Sequence, residues 1–412
     1  MNTNIPERPR LRPVEPHWIE HQGMPCLYLR DPLNLSDFTI LLPQSVAPAV
    51  ALMDGERTIA EIRTSLALRA GITMTDANLT DMVAQLDRAL LIENGAYVGA
   101  VAEALNAYRE AEYRPPSHAG AVYPERADEL AETLNGYLAA VHSPSERSAT
   151  GSLVGMVCPH IDYNRGHATY AEVWQAAAPD LADVELVVIL GTNHSGSPGS
   201  VTLTRQSYAT PYGALPNDTE IVDRLADAMD GAGAFGEEIH HTSEHSIELA
   251  AVWLHHFTRS RDVKVVPALC GSFAHVTSGV SEPGDIGRLD AFIDVMGGVI
   301  AQRRALVIAA GDLAHVGPAF GDRLPLDADA RSNLATADQK SIDAILAGDP
   351  EAFLDLSRQE EDARKICGLS AIYLTLRLLQ GAQGEAFGYD QCPADDQNGS
   401  AVSIVGALLY DG

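Results

Sequence analysis

From residue 118 to residue 412, short apolar runs of the strand type alternate with amphipathic stretches of the helix type. This alternation constrains the fold more than any other feature, because it is typical of a sheet buried under helices on both faces. It predicts an α/β fold, with a three-layer αβα domain around a largely parallel or mixed central sheet. The predicted strands cover residues 153–157, 184–190, 263–269, 305–309 and 401–409, and the main helices cover residues 126–141, 218–229, 285–303 and 328–346.

A smaller α+β domain is predicted at residues 15–98. It contains two strand-type runs, a helix, a second helix that begins near Thr75, and a short strand at 96–98. This order resembles a winged-helix-like module of the peptide-binding PqqD type. Two roles stay open for it: recognition of a partner protein or peptide, and packing or dimerisation. Residues 1–14 are predicted as a flexible arm, and residues 99–117 as a helical linker to the domain at 118–412.

The net charge limits the partners that the chain can bind. Its 28 Lys and Arg residues against 56 Asp and Glu residues give a formal charge of −28. Because a chain this acidic repels phosphate backbones and anionic lipid, we expect neither nucleic acid nor a membrane surface as a partner. The five cysteines are odd in number and widely spaced, which argues against a disulfide scaffold. No apolar run approaches the roughly 20 residues of a membrane span, so a reduced, cytoplasmic protein is predicted.

Polar side chains follow three of the predicted strands at the point where each strand ends. These side chains are His160, His194, and the neighbouring Asp312 and His315. Ligands of open α/β sheets bind beyond the carboxyl ends of the strands, so we expect these groups to lie at one edge of the sheet. A single histidine there is more often a hydrogen-bonded structural residue than a ligand. Three at equivalent ends favour a catalytic metal site, because imidazole is a common ligand of zinc, copper and iron.

The segment at 240–256 adds polar groups to the same edge. Ser243 is predicted to cap a helix whose first turns contain Glu244, His245 and Glu248. The positive end of the helix dipole is enough to explain the two glutamates. The histidine pairs at 240–241 and 255–256 are predicted to lie at the surface, because adjacent side chains point in different directions and cannot easily share a metal.

Seven short motifs follow one another along the large domain. They are Ala119-Gly120-Ala121-Val122-Tyr123-Pro124, Pro159-His160-x-x-Tyr163, Gly191-Thr192-Asn193-His194, Thr210-Pro211-Tyr212-Gly213, Glu244-His245-Ser246-Ile247-Glu248, Gly311-Asp312-Leu313-Ala314-His315 and Cys367-Gly368. This ordered set resembles the MEMO-like protein family over about residues 118–411. In bacteria and archaea, such proteins look like the MEMO component of the system named after its AMMECR1, MEMO and radical-SAM members.

The resemblance implies a fold similar to that of class III non-haem-iron extradiol dioxygenases, with a metal site at the edge of the sheet. It also implies a single ion of iron or copper, because a thiolate beside two imidazoles is a soft, redox-competent set. The implied metal ligands are His160, His194 and Cys367, with Asp312, His315 and His245 close by. Cys367 would lie at the start of a helix at 368–379, where the dipole favours the thiolate.

Two functions are weighed from these observations. The first is a metal-dependent redox enzyme with a dioxygenase-like cleft, in which an open position binds oxygen or substrate. In that case His245 or His315 transfers protons, and Asp312 orients a neighbouring histidine. The second is a non-catalytic adaptor whose cleft binds a peptide or small ligand, since a shared fold does not establish catalysis. The intact ligand set favours the first. An extradiol dioxygenase for a catechol is weaker, because the third ligand is a cysteine.

Overall fold

A computed structural model describes residues 5–31, 33–141, 151–259, 261–281 and 287–412. The chain forms two compact units that divide between Ala111 and Glu112, and we call them the small unit and the large unit. Within the described parts of the chain, none of the helices is both long enough and apolar enough to cross a membrane.

The small unit combines an antiparallel sheet with helices around one buried cluster. Thr58 begins its first α-helix with a capping box, because the Thr58 side chain accepts from the N–H of Glu61 and the Glu61 carboxylate accepts in return from the N–H of Thr58. The elements are β1 (Glu15–His21), β2 (Met24–Arg30), β3 (Ile40–Pro43), a 3-10 helix (Ala47–Leu52), α1 (Ile59–Ala70), α2 (Asp76–Arg88) and α3 (Gly95–Glu110), with the strands in the order β1-β2-β3.

The strand predicted at 96–98 is wrong, because these residues lie in the first turn of α3. The side chain of Asn94 accepts hydrogen bonds from the N–H groups of Ala96 and Tyr97, which caps a helix at this point. The unit therefore ends in a helix where a short strand was expected. Part of the predicted N-terminal arm lies against this unit, since the N–H of Leu11 donates to the carbonyl of Met53 at 2.9 Å.

In its described residues, the large unit is built around a mixed sheet of eight strands. Those strands are β4 (Leu153–Cys158), β5 (Leu186–Thr192), β6 (Val201–Leu203), β9 (Lys264–Cys270), β10 (Ala305–Ala310), β11 (His315–Val316), β12 (Gln383–Pro393) and β13 (Ala401–Tyr410), while β7 (Tyr208–Thr210) and β8 (Gly213–Leu215) form a separate hairpin. The strand order is β11-β13-β4-β10-β5-β9-β6, and β12 pairs with β13. The four central strands are parallel to one another, whereas β13 and β6 run antiparallel to their neighbours.

Helices cover both faces of this sheet. In β5, Leu186, Val188 and Leu190 belong to one buried cluster, and Val187 and Ile189 belong to the other. Because successive side chains of a strand point to opposite faces, this alternation confirms the predicted α/β architecture of three layers. The helices are α4 (Ala127–Ala140), α5 (Tyr163–Ala177), α6 (Thr219–Ala228), α7 (Ser246–Thr258), α8 (Ala274–Thr277), α9 (Gly287–Ile300), α10 (Ala328–Leu346), α11 (Pro350–Gln359) and α12 (Leu369–Leu378). Positions 285 and 286 of the helix predicted at 285–303 lie outside the described residues.

The register of the sheet places the carboxyl ends of the central strands side by side. Ala310 at the end of β10 pairs with Cys158 of β4 and with Gly191 of β5. Thr192 at the end of β5 pairs with Cys270 of β9. The segments that follow these strands therefore start from the same edge of the sheet.

Candidate metal centre

Three histidines from different segments meet at this edge. His160 follows β4, His194 follows β5, and His245 immediately precedes α7. Each offers a ring nitrogen within 4.8 Å of the other two, and the three ring centroids lie 5.0, 5.1 and 5.2 Å apart. A second group of potential ligand atoms with the same spacing contains His160, Asp312 and Cys367. His160 thus belongs to both groups.

Hydrogen bonds fix the orientation of His160. Its Nδ1 lies 3.0 Å from the carbonyl oxygen of Ala310 and donates to it, which leaves Nε2 3.2 Å from Sγ of Cys367. Asp312 acts on the main chain, since its Oδ1 accepts from the N–H of His160 at 2.8 Å and from the N–H of Ile161 at 3.2 Å. Asp312 therefore holds the backbone of this segment, while Ala310 sets the ring.

Glu244 orients the other two histidines. Its Oε2 lies 3.0 Å from Nδ1 of His194, and its Oε1 lies 3.1 Å from Nδ1 of His245. The backbone N–H groups of His194, His245 and Ser246 donate to the same carboxylate. Burial opposes ionisation of Glu244, but the two imidazoles offset it and hold the pKa of this carboxyl well below its usual range. This bridging role goes beyond the helix-dipole explanation.

A close approach of two glycines brings Cys367 to the site. A Cβ atom on Gly311 would lie 2.6 Å from Cα of Gly368, so only glycine permits the contact. The N–H of Gly368 donates to the carbonyl oxygen of Asp312 at 3.0 Å, which ties the two segments together. Cys367, the residue before Gly368, is thereby placed beside His160.

The charges around Cys367 favour its thiolate. Burial raises the pKa of the thiol, but the imidazoles of His160 and His315 and hydrogen bonds from His160 and His194 offset this and hold the pKa of Cys367 well below its usual range. Burial disfavours the cationic form of His160, yet Cys367 and Asp312 raise its pKa to about 9. A ligating imidazole must be neutral, so a metal at this site would displace the proton on His160.

His315 lies beside the cluster of ligand atoms. It is on β11, with its Nδ1 3.3 Å from the carbonyl oxygen of Leu313 and its ring against Phe320. Among the described residues, neither group of potential metal ligands includes it. Its imidazole still contributes to the low pKa of Cys367, so it lies near enough to act on the thiolate.

The stretch of chain that contains these site residues matches a known protein family. A family model described as Memo-like protein matches residues 114–409. The chain belongs to the Memo-like family. The resemblance predicted from the seven motifs is therefore confirmed, and the matched stretch contains every predicted site residue.

Two Memo-like relatives differ in how much of the chain they cover. A MEMO1 family protein of Aquifex aeolicus is 26% identical over 390 residues, which is 93% of this chain and 95% of the relative. A MEMO1 family protein of Methanosarcina acetivorans is 29% identical over 297 residues, which is 72% of this chain and 97% of the relative. The first alignment is longer than the large unit, so it extends into the small unit.

A cavity opens beside the thiolate in the Memo-like unit. Its volume is about 160 Å³, and His194 and Cys367 form part of its wall. Neither lysine nor arginine is among the residues that line it, whereas Asp362 is. The remaining lining residues are Thr192, Asn193, Gly196, Ser272, Phe273, Ala274, Ile366, Leu369 and Ser370.

A buried ion pair is hydrogen-bonded to the chain segment that contains Glu244. Arg114 donates to Glu248, both side chains are 0% exposed, and Arg114 also donates to the carbonyl oxygen of Glu244 at 3.0 Å. Glu248 further accepts from Tyr123, and it lies 3.2 Å from Nδ1 of His118. Sequence reasoning missed Arg114 and His118. The motif at 119–124 and the Glu248 motif were both recognised, but nothing in their spacing showed that they meet.

Two further predictions about the Memo-like unit are corrected. Ser243 does not cap α7, which begins at Ser246 and whose N–H groups are met by Glu244. The prediction of surface histidines is wrong for His241, His255 and His256, which are all at least nine-tenths buried. Each has a hydroxyl partner for its Nδ1 on or beside the β7–β8 hairpin, namely Tyr208, Thr210 and Tyr212 respectively.

Proposed function

We propose that this Memo-like protein is a metal-dependent redox enzyme that uses a single iron or copper ion. His160, His194 and Cys367 are the proposed ligands. The observation that carries the proposal is the distance of 3.2 Å between His160 Nε2 and Cys367 Sγ, with Nδ1 of His160 and of His194 each already bonded to an oxygen. Two imidazoles that each keep one nitrogen toward a thiolate form a donor set that suits copper and iron once the metal displaces their protons.

A bound iron or copper ion would supply one-electron redox chemistry. The chain's own residues supply its placement. Asp312 holds the backbone of the His160 segment, and Glu244 holds the ring of His194. Proton transfer near neutral pH suits imidazole, and we propose either His245 or His315 for it.

The cavity favours a small substrate over a peptide. Its volume of about 160 Å³ is close to that of an engineered cavity that holds a single benzene ring. Phe273, Ile366 and Leu369 supply apolar surface, and Ser272 supplies a hydroxyl. We propose a small molecule of about this size as the ligand, and a protein partner for the small unit, whose Trp18 and Phe38 are exposed.

Metal content tests this proposal directly. The full chain should be purified without added metal and analysed for iron, copper and zinc by mass spectrometry. We expect iron or copper in the parent protein and a strong loss in His160→Ala, with no loss in His167→Ala. His167 is the control because it is on α5, only half-buried, and outside the described groups of ligand atoms. A parent protein that neither contains iron or copper nor binds either ion when it is added would contradict the proposal.

A further inference from the structure

The three imidazoles of the site form a nearly equilateral arrangement. The ring centroids of His160, His194 and His245 are separated by 5.0–5.2 Å, and one ring nitrogen of each lies within 4.8 Å of the other two. Three imidazoles that point to a common place form a known type of catalytic metal site, with further positions left for other ligands. His245 therefore lies as close to the common centre of the three rings as His160 and His194 do.

The outer hydrogen bonds of the three rings follow the same rule. Nδ1 of His160 faces the carbonyl oxygen of Ala310, and Nδ1 of His194 and of His245 face the two oxygens of Glu244. Metal-ligating histidines almost always donate their other ring nitrogen to a carbonyl or carboxylate, because this fixes the ring and raises its basicity. In each ring, Nε2 is left as the ligating atom.

Backbone hydrogen bonds hold the Glu244 carboxylate in this orientation. The backbone N–H groups of His194, His245 and Ser246 donate to it at 3.1, 2.8 and 3.0 Å. One carboxylate thus holds two rings from segments about fifty residues apart. A carboxylate on Nδ1 suits a general base as well as a metal ligand, so it is the position of His245 beside His160 and His194 that identifies it as a ligand.

We infer that His245 is a metal ligand, so that the centre offers three imidazoles and the thiolate of Cys367. The inference rests on the proposed function, since it requires a metal at this site. It leaves proton transfer to His315, whose ring lies outside the described groups of ligand atoms and has its Nδ1 on a backbone carbonyl. Glu244 is then a positioning residue that acts through two ligands.

Cobalt(II) is the probe for the test, because its visible spectrum reports both thiolate ligation and coordination number. The metal-free full chain is titrated with cobalt(II), and X-ray absorption of the loaded parent protein counts its imidazole and sulfur ligands. We expect three imidazoles and one sulfur. Glu244→Gln should weaken binding about 10–100-fold, the usual effect of losing a group that supports metal ligands. His245→Asn should weaken it at least as much, and the control His167→Asn, outside the described groups of ligand atoms, should bind as the parent does.

The outcomes separate the two proposals. A parent protein with two imidazoles and one sulfur, together with unchanged cobalt affinity in His245→Asn, would overturn the inference but leave the proposed function intact. A parent protein that does not bind cobalt, copper or iron would overturn both. If His245→Asn fails to fold by circular dichroism, the ligand count of the parent protein decides alone.

Discussion

Replacing Arg114 by Met should destabilise the large unit strongly. The guanidinium of Arg114 donates to the Glu248 carboxylate, and both side chains are 0% exposed. Burial opposes ionisation of Glu248, but Arg114 offsets it and holds the pKa of Glu248 well below its usual range. The substitution therefore removes the permanent countercharge of a buried carboxylate and leaves it with the imidazole of His118, whose Nδ1 is 3.2 Å away.

The size of the effect follows from this burial. Breaking a buried pair by removing one partner costs about 3–5 kcal/mol, whereas exposed pairs contribute about 0.2–1 kcal/mol. We expect a loss in the first range. Arg114→Met/Glu248→Gln should recover part of it, because the carboxamide is uncharged and its oxygen, placed at the Oε1 position, still accepts from Tyr123 and from the N–H of His118. It leaves the carbonyl oxygens of His241 and Glu244 without the Arg114 donor, so recovery should be incomplete.

The stability difference between parent and variant should change with pH in a direction that follows from the pKa of Glu248. In the parent protein the pKa of Glu248 is depressed, so its contribution is present above the unfolded pKa and is lost only as the pH falls through the folded one. Without Arg114 that pKa rises, because the largest charge that opposes the effect of burial is gone, so the folded variant takes up a proton at a higher pH than the folded parent protein. The difference in stability between parent and variant should therefore shrink as the pH falls from 8 toward 4.

Urea unfolding followed by tryptophan fluorescence measures these differences. Trp174 and Trp253 are buried in the large unit, whereas Trp18 of the small unit is 58% exposed, so the signal reports the large unit. A loss below about 1 kcal/mol, the value for an exposed pair, would refute the argument. So would a difference that grows as the pH falls.

Two further predictions concern the site and its boundaries. Cys367 should react with iodoacetamide at a pH well below that needed for Cys270, because the pKa of Cys367 is lowered while burial raises that of Cys270 to about 12. Bound copper should protect Cys367 from alkylation, and Cys367→Ser should weaken copper binding where Cys270→Ser does not. Equal alkylation rates of Cys367 with and without copper would contradict this. Deleting residues 1–111 should leave the metal content of the large unit unchanged, as measured by mass spectrometry, because every proposed ligand lies beyond the unit boundary; a folded truncation that loses its metal would show otherwise.

The sequence predicted the large sheet well because its strands are buried on both faces. Continuous apolar runs such as 184–190 and 305–309 carry their own signal, and the structure places strands there. Short or amphipathic strands give a much weaker signal in the sequence. β6 has only three residues, and β12 pairs only with β13, so both escaped prediction. At 96–98 the residues have strand propensity, but the cap at Asn94 outweighs it locally.

Part of the candidate site could likewise be predicted from the sequence, and part could not. His160, His194 and Asp312 follow strand ends, and strand ends can be read from periodicity, so their meeting at one edge was predictable. Cys367 follows no strand, and only the family resemblance pointed to it. Its position depends on Gly311 and Gly368 in contact, which is a matter of backbone packing between distant segments.

The parts that escaped prediction are the ones that hold the ligand atoms in place. Glu244 looked sufficiently explained by the dipole of α7, since a carboxylate at a helix start is common. Its bonds to His194 and His245 depend on where the loop after β5 lies relative to α7, and no local pattern encodes that. Arg114 then binds the carbonyl of Glu244 and the carboxylate of Glu248, so one buried cation ties the residue before His245 to the first turn of α7. The histidines are thus oriented by the carbonyl oxygen of Ala310 and by Glu244, neither of which is a proposed metal ligand.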